Sequence, residues 1–314
     1  MRRFDTCAGG AVIRLGTRGS ALALAQSGTV ADAVRQLGHQ VELVEISTAG
    51  DRSSAPVAQL GVGVFVSALR DALLAKEIDF AVHSFKDLPT APADGLSVVA
   101  VPGRADPRDA LVSRDSLSLA ELGPGARIGT GAVRRIAQLN ALGRGLIAVP
   151  IRGNVDTRLR KVADGELDAV VLARAGIARL GRADEITETL DPLLMLPAPA
   201  QGALAVECRA DDVELLELLA ALDDPFTRAA VTAERTLLAE LEAGCSAPVG
   251  ALAEVAEGDD GPEIYLRGAV FSPDGSQTIR LSRTGTLADP AEVGRALARD
   301  LRDEGADQVM GESQ

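Results

Sequence analysis

Cysteine and histidine are scarce in this chain of 314 residues: three of the first (Cys7, Cys208, Cys245) and two of the second (His39, His83), all far apart. Such spacing matches no zinc pattern and supplies no disulfide framework, so no metal site is expected. Lysine is nearly as rare, with only Lys76, Lys86 and Lys161. No apolar run approaches the roughly 18 residues of a membrane span. The opening MRRFDTCAGG carries charge but no apolar segment behind it, so it does not read as a secretory signal. A cytoplasmic protein without membrane contact is the expectation. Low-complexity tracts are missing too, which argues against long disordered arms. The net charge of -13 argues against a nucleic-acid partner.

What is present is a chain long enough for two or three domains, 46% apolar, with its charge unevenly spread. Residues 104 to 182 hold fourteen Arg and Lys against eight Asp and Glu, whereas residues 200 to 314 hold nine against twenty-three. A basic middle in an acidic chain suits a carboxylate-rich or phosphorylated small molecule, or is an unevenly charged solvated surface.

Strand and helix periods alternate through the first two thirds. AVIRLG reads as a strand and SALALAQSGTVADAVRQLG as a helix, with Ser20 as N-cap and Gly38 as stop. QVELVEIS, VFVSALRDALL and DFAVHS continue as strand, helix and strand. From about residue 104 the grammar repeats: ALVS, ARIGT, LIAVPI and DAVVLA are strands, AVRRIAQLNAL and DTRLRKVADG helices. The pattern predicts an α/β fold of two lobes with mainly parallel sheets. LPAPAQGALAVECR offers a connector and a strand that returns to the first lobe. A long helix from about Asp224-Pro225 to Gly244, three strands around SPDG and a last helix from about Pro290 then make a small α+β C-terminal domain. The expected boundaries are 1–103 for the first lobe, completed by 200–222, then 104–199 for an arginine-rich second lobe and 223–314 for the third domain.

Three strand-to-helix corners carry arginine: TRGSALALAQ with Arg18 and Ser20, RIGTGAVRRIAQL with Thr130, Arg134 and Arg135, and PIRGNVDTRLRK with Arg152 and Arg158. Helix starts favour anions and guanidinium forks grip carboxylates, so a shared polyanionic ligand is expected, against the alternative that each arginine is ordinary surface. In HSFKDLP, Lys86 and Asp87 follow a strand end, where open α/β sheets place ligands, although a surface ion pair is the plain alternative. Cys208, inside ALAVEC, reads as a small buried hydrophobe; Cys245, between Gly244 and Ser-Ala-Pro, lies in a turn where that reading fits less well.

TRGSALALAQ, AVHSFKDLPT, IGTGAVRRIAQL, IRGNVDTRL, LARAGIARLG, LPAPAQGALAVECR and AGCSAPVGA together resemble, in order, the signatures of the porphobilinogen deaminase family, also called hydroxymethylbilane synthases. The resemblance implies two lobes folded like periplasmic-binding-protein domains plus a third domain. It also implies a dipyrromethane cofactor joined through a thioether to Cys245. The family joins porphobilinogen molecules head to tail, with loss of ammonia, and releases 1-hydroxymethylbilane. Carried over by motif, Asp87 is the catalytic carboxylate; Lys86, Ser20, Thr130, Arg134, Arg135 and Arg158 hold the cofactor; Arg18, Arg152 and Arg179 bind substrate. A monomer is implied. The chain departs from the family at Val62, where many members have lysine, and at Gly131 and Ala132, where hydroxyls are usual. A non-catalytic small-anion binding or sensor protein of the same two-lobed type is the competing expectation; it needs neither the cysteine of AGCSAP nor a carboxylate beside Lys86.

Overall fold

Local periods fold largely where they are read in the computed structural model, which describes residues 12–47, 64–243, 247–258 and 261–311. Strand β1 (Ile13–Thr17) runs into helix α1 (Ala21–Gln36), whose start is fixed by Ser20: its backbone is extended and its hydroxyl accepts from the Ala23 amide at 3.3 Å. The helix ends ahead of Gly38, at φ +92°, a left-handed conformation glycine adopts without steric cost. Strand β2 (Val41–Glu45), helix α2 (Val64–Leu74) and strand β3 (Phe80–Ser84) follow, then a single 3-10 turn, Phe85–Asp87, and strand β4 (Leu96–Ala100). In the second lobe come β5 (Asp109–Ser113), β6 (Arg127–Thr130), α3 (Val133–Ala141), β7 (Ile147–Pro150), α4 (Val155–Ala163), β8 (Ala169–Ala173), α5 (Arg174–Arg179) and the two-residue β9 (Glu188–Thr189). Strand β10 (Leu204–Arg209) and helices α6 (Val213–Ala220) and α7 (Pro225–Glu240) lead to β11 (Val249–Gly258), β12 (Gly261–Phe271), β13 (Thr278–Thr286), α8 (Pro290–Asp303) and α9 (Ala306–Met310).

Among the described residues three sheets result. The first has the order β2-β1-β3-β10-β4 and the second β7-β6-β8-β5-β9. In each, four strands share one direction and one is reversed: β10 pairs antiparallel with β3 and β4, and β5 pairs antiparallel with β8 and β9. The sheets are therefore mixed, though most strands run the same way. Each is covered on both faces, as a largely parallel sheet must be. Alternation along β1 and β3 sends Ile13, Leu15, Phe80 and Val82 into one apolar layer with α1, while Ala81 joins Leu69 and Leu73 of α2 in another. In the second sheet Val170 and Leu172 pack beside Leu159 and Ile177, and Ala169 and Val171 beside Ile128 and Leu139. The third sheet, β11-β12-β13, is an antiparallel meander packed on α7 and α8.

The chain divides into two compact units, residues 1–104 with 203–228, and 105–202 with 229–314. The second lobe and the C-terminal meander thus belong to one unit. Within it, Ala137 of α3 packs with Leu196, Leu252, Ala269 and Phe271. The hairpin turn between β12 and β13 seats Gly275, at φ +77°, so tightly on α3 that a Cβ there would lie 2.3 Å from the Ala137 carbonyl oxygen.

Candidate active site

Parallel strands end at the same edge of their sheet, and that is where the motif residues gather in each unit. In the first unit β1 and β3 are parallel neighbours, with Gly16 opposite Ala81. Their carboxyl ends carry Arg18 and Ser20 on one side, and Lys86 and Asp87 on the other. The Ser20 hydroxyl is engaged in capping α1, so its carry-over as a cofactor contact sits beside a structural duty. The Phe85–Asp87 turn is anchored by its flanks. Phe85 and Leu88 are buried, the Phe85 amide donates to Ala203 O at 3.1 Å and the Leu88 amide to Phe85 O at 3.2 Å. Anchored at both ends, the turn leaves Lys86 half-buried and Asp87 exposed.

In the second unit β7, β6 and β8 are parallel, so Thr130, Arg152 and the start of α5 share one edge. Thr130 is fully buried and its hydroxyl accepts from Ala132 N at 3.4 Å, inside its own turn. Ala132, the N-cap of α3, has no side chain to cap the helix, and Gly131 lies so close to Ile151 that a Cβ there would sit 2.8 Å from its carbonyl oxygen. Arg158, half-buried, donates through Nε to Gly153 O at 2.8 Å. Its pKa is pushed down by burial and then by the charges of Arg135 and Arg152, so three cations crowd at this edge. Arg179 donates to Gly202 O at 2.6 Å and is likewise lowered by burial.

Arg134 and Arg135 are not surface forks. Both are buried, and both point at Asp109, which is 0% exposed. Arg134 Nη2 lies 2.8 Å from one Asp109 oxygen, while Arg135 Nη2 and Nε lie 2.7 and 3.1 Å from the other. Arg134 also donates to Leu196 O, Arg135 to Val171 O at 3.1 Å, and the Gln201 amide to Asp109 at 2.8 Å. Burial pushes the Asp109 carboxyl up, but the two guanidinium charges and the hydrogen bonds outweigh it and hold the group well below the usual carboxylate range. The rest of the basic middle is mostly spent elsewhere: Arg108 on Asp106, Arg114 on Asp168, Arg182 on Asp156 and Glu185. Uneven charge therefore reflects two populations of arginine, one of surface ion pairs and one at the strand ends.

Asp109 and Gln201 were not among the candidate residues of the sequence, although an acidic residue opening the apolar strand DALVS was a visible anomaly. Cys208 is buried and its thiol is pushed up to about 12, first by burial, as suits an inert core residue. Cys245 and Val62 lie outside the described residues. Among the described residues no group of three or more His, Cys, Asp and Glu is placed to hold a metal ion, and no helix is long and apolar enough to cross a membrane.

The sequence matches two family descriptions: "Porphobilinogen deaminase, dipyromethane cofactor binding domain" over residues 13–217 and "Porphobilinogen deaminase, C-terminal domain" over residues 228–303. A porphobilinogen deaminase of Nocardia farcinica is 60% identical over 314 residues, covering 98% of this chain and 91% of the relative. One of Mycobacterium tuberculosis is 60% identical over 304 residues, covering 95% and 98%. Among solved structures, a periplasmic substrate-binding protein of an ABC transporter from Coxiella burnetii matches at 15% identity and a TM-score of 0.43, covering 69% of this chain and 94% of that one.

Proposed function

Because the chain belongs to the porphobilinogen deaminase family, we propose that its two strand edges divide the labour: arginines bind carboxylates and Asp87 handles the charge that develops during condensation. The activity is the family's, a transferase reaction in which four porphobilinogen molecules are joined head to tail with release of ammonia and freed as 1-hydroxymethylbilane. The working domains are 1–103 with 200–222, then 104–199, then 223–314, in a cytoplasmic monomer without nucleic-acid or membrane partners.

The residues suit the dipyrromethane cofactor of the family. The gathering of Thr130, Arg152, Arg158 and Arg179 at the shared carboxyl edge of β6, β7 and β8 suits a carboxylate-bearing group, and it is the observation that carries this reading. When bound, the cofactor supplies the pyrrole terminus to which the first substrate unit is joined. Cys245 would tether it; Lys86, Ser20, Thr130, Arg134, Arg135 and Arg158 would hold it, and Arg18, Arg152 and Arg179 would bind incoming substrate. Arg134 and Arg135 act from beneath, since their forks are engaged by Asp109 and backbone oxygens: they contribute charge more than bidentate bonds. The uncapped start of α3 leaves backbone N–H groups for an anion. Asp87, exposed on an anchored turn, can accept from pyrrole N–H groups and stabilise positive charge as ammonia departs. A carboxylate there can also take and return the ring proton.

Intact mass and one substitution test this. The purified chain is expected to be heavier than its sequence by a dipyrromethane. Asp87→Asn should keep that mass while losing about 100-fold or more in turnover. An unmodified mass with Cys245 titrating as free thiol favours the non-catalytic anion-binding alternative, and near-parental turnover in Asp87→Asn removes Asp87 from the mechanism.

A further inference from the structure

Glu207 is a buried carboxylate that the reaction so far leaves unused. It lies on β10 within the apolar run LAVECR, 2% exposed and opposite Ala81 of β3. Side chains alternate along a strand, so Ala81 and His83 of β3 share a face with Ala205 and Glu207 of β10. That face is the one α2 covers. From α2, Arg70 closes on the carboxylate with a fork: Nη2 is 2.8 Å and Nε 3.1 Å from Oε1, with Nε 3.2 Å from Oε2. From β3, His83 brings Nε2 to 3.1 Å from Oε2, a close contact rather than a hydrogen bond. Burial pushes the Glu207 carboxyl up, but contact with His83 and with Arg70 more than reverses it.

The opposite face of the same strand end is held as well. Ser84, the next residue, accepts from the Gln26 amide at 2.9 Å and donates back to Gln26 Oε1 at 3.2 Å. Gln26 belongs to α1 and is buried. After Ser84, the Phe85 amide is fixed to Ala203 O. Three consecutive residues are thus pinned immediately before Lys86 and Asp87.

A buried Arg70–Glu207 charge pair with a histidine beside it is a poor way to gain stability, because well-packed hydrophobic residues of similar volume serve as well or better. What it adds is direction. We propose that Arg70–Glu207–His83 on one face and Gln26–Ser84 on the other form a clamp that aims the Lys86–Asp87 turn, with Glu207 as a positioning residue for Asp87. This rests on the reading of Asp87 as the counter-charge to the developing cation. A misdirection of the turn by about 1 Å costs rate rather than affinity, on the order of 10- to 100-fold.

The test uses the cofactor-loaded protein, verified by intact mass. Glu207→Gln, which keeps shape and loses charge, is expected to lower kcat about 10-fold with KM for porphobilinogen within about two-fold. In the Asp87→Asn background, followed by single turnover, the same substitution is expected to change the rate less than two-fold, since the residue it aims has lost its charge. Arg70 is partly exposed and serves if Glu207→Gln does not fold: Arg70→Gln should lose rate in the same way and Arg70→Lys should recover most of it. Parental kcat in both Glu207→Gln and Arg70→Gln overturns the clamp, as does a further 10-fold loss in the Asp87→Asn background. Should Asp87→Asn alone turn over normally, the reading of Asp87 fails first, and the clamp loses its object with it.

Discussion

Asp109 can be removed without changing its shape, and the structure sets the size of the consequence. Asp109→Asn keeps an acceptor oxygen and its hydrogen bonding to Gln201, but leaves Arg134 and Arg135, both buried and 2.7–2.8 Å away, facing a neutral amide. Leaving buried charges uncompensated costs about 3–5 kcal/mol. For a folding unit of this size each kcal/mol lowers Tm by roughly 2–4 °C, so a fall on the order of 10 °C is expected at pH 7. The pH dependence follows from sign. The folded carboxyl is held below its unfolded value, so its stabilisation is complete above the unfolded pKa of about 3.9 and is lost as pH falls through the folded value. Thermal melts monitored by circular dichroism should therefore show a parent–variant gap that is constant from neutral pH to about 5 and narrows below about 4. A Tm within about 2 °C of the parent at pH 7, or a gap that widens on acidification, refutes the reasoning.

Two further substitutions probe the same unit. Arg158→Leu removes one of three crowded cations, so it should leave thermal stability unchanged or slightly raised while reducing the fraction of chains carrying the cofactor by intact mass; full loading in the variant would show that Arg158 holds no carboxylate. Gly275→Ala forces a Cβ to 2.3 Å from Ala137 O and 2.8 Å from Ala141 N at a left-handed φ, so a destabilisation of about 2–3 kcal/mol is expected in denaturant titrations, and an unchanged midpoint would show that the turn can lift off α3 at no cost.

Features that depend on near neighbours in sequence were legible. Ser20 caps the helix it was expected to cap, VFVSALRDALL forms a helix over its whole length, and Lys86 and Asp87 fall just past the end of the strand read in DFAVHS. The six-residue α5 and the two-residue β9 were not, because they span too few residues to show a period, and β4, five residues of LSVVA, was not read although it is as long as β1 and β3. Helix α6, eight residues of VELLELLA, was not read from the sequence. The larger gap concerns side-chain roles. Arg134 and Arg135 look like ligand forks at a helix start, and in sequence nothing ties them to Asp109, 25 and 26 positions earlier. Arg70 and Glu207 are 137 positions apart. Pairs of that kind are created by the topology and leave no spacing to read.

The topology does, however, give those pairs a common origin. Each five-stranded sheet contains a single reversed strand, and it is the strand by which the chain enters that lobe from the other: β5 follows the passage near residue 104 and β10 the passage near residue 202. Each of these entering strands carries a buried carboxylate, Asp109 on β5 and Glu207 on β10, and each pairs beside a strand that ends at a motif corner, β8 and β3. An arginine on a covering helix then closes on the carboxylate, from α3 in one lobe and from α2 in the other. A carboxylate on an entering strand is satisfied only once that strand has inserted in register, because a slip of one residue would turn it to the opposite face. Satisfying Asp109 and Glu207 is therefore conditional on each entering strand being inserted in register.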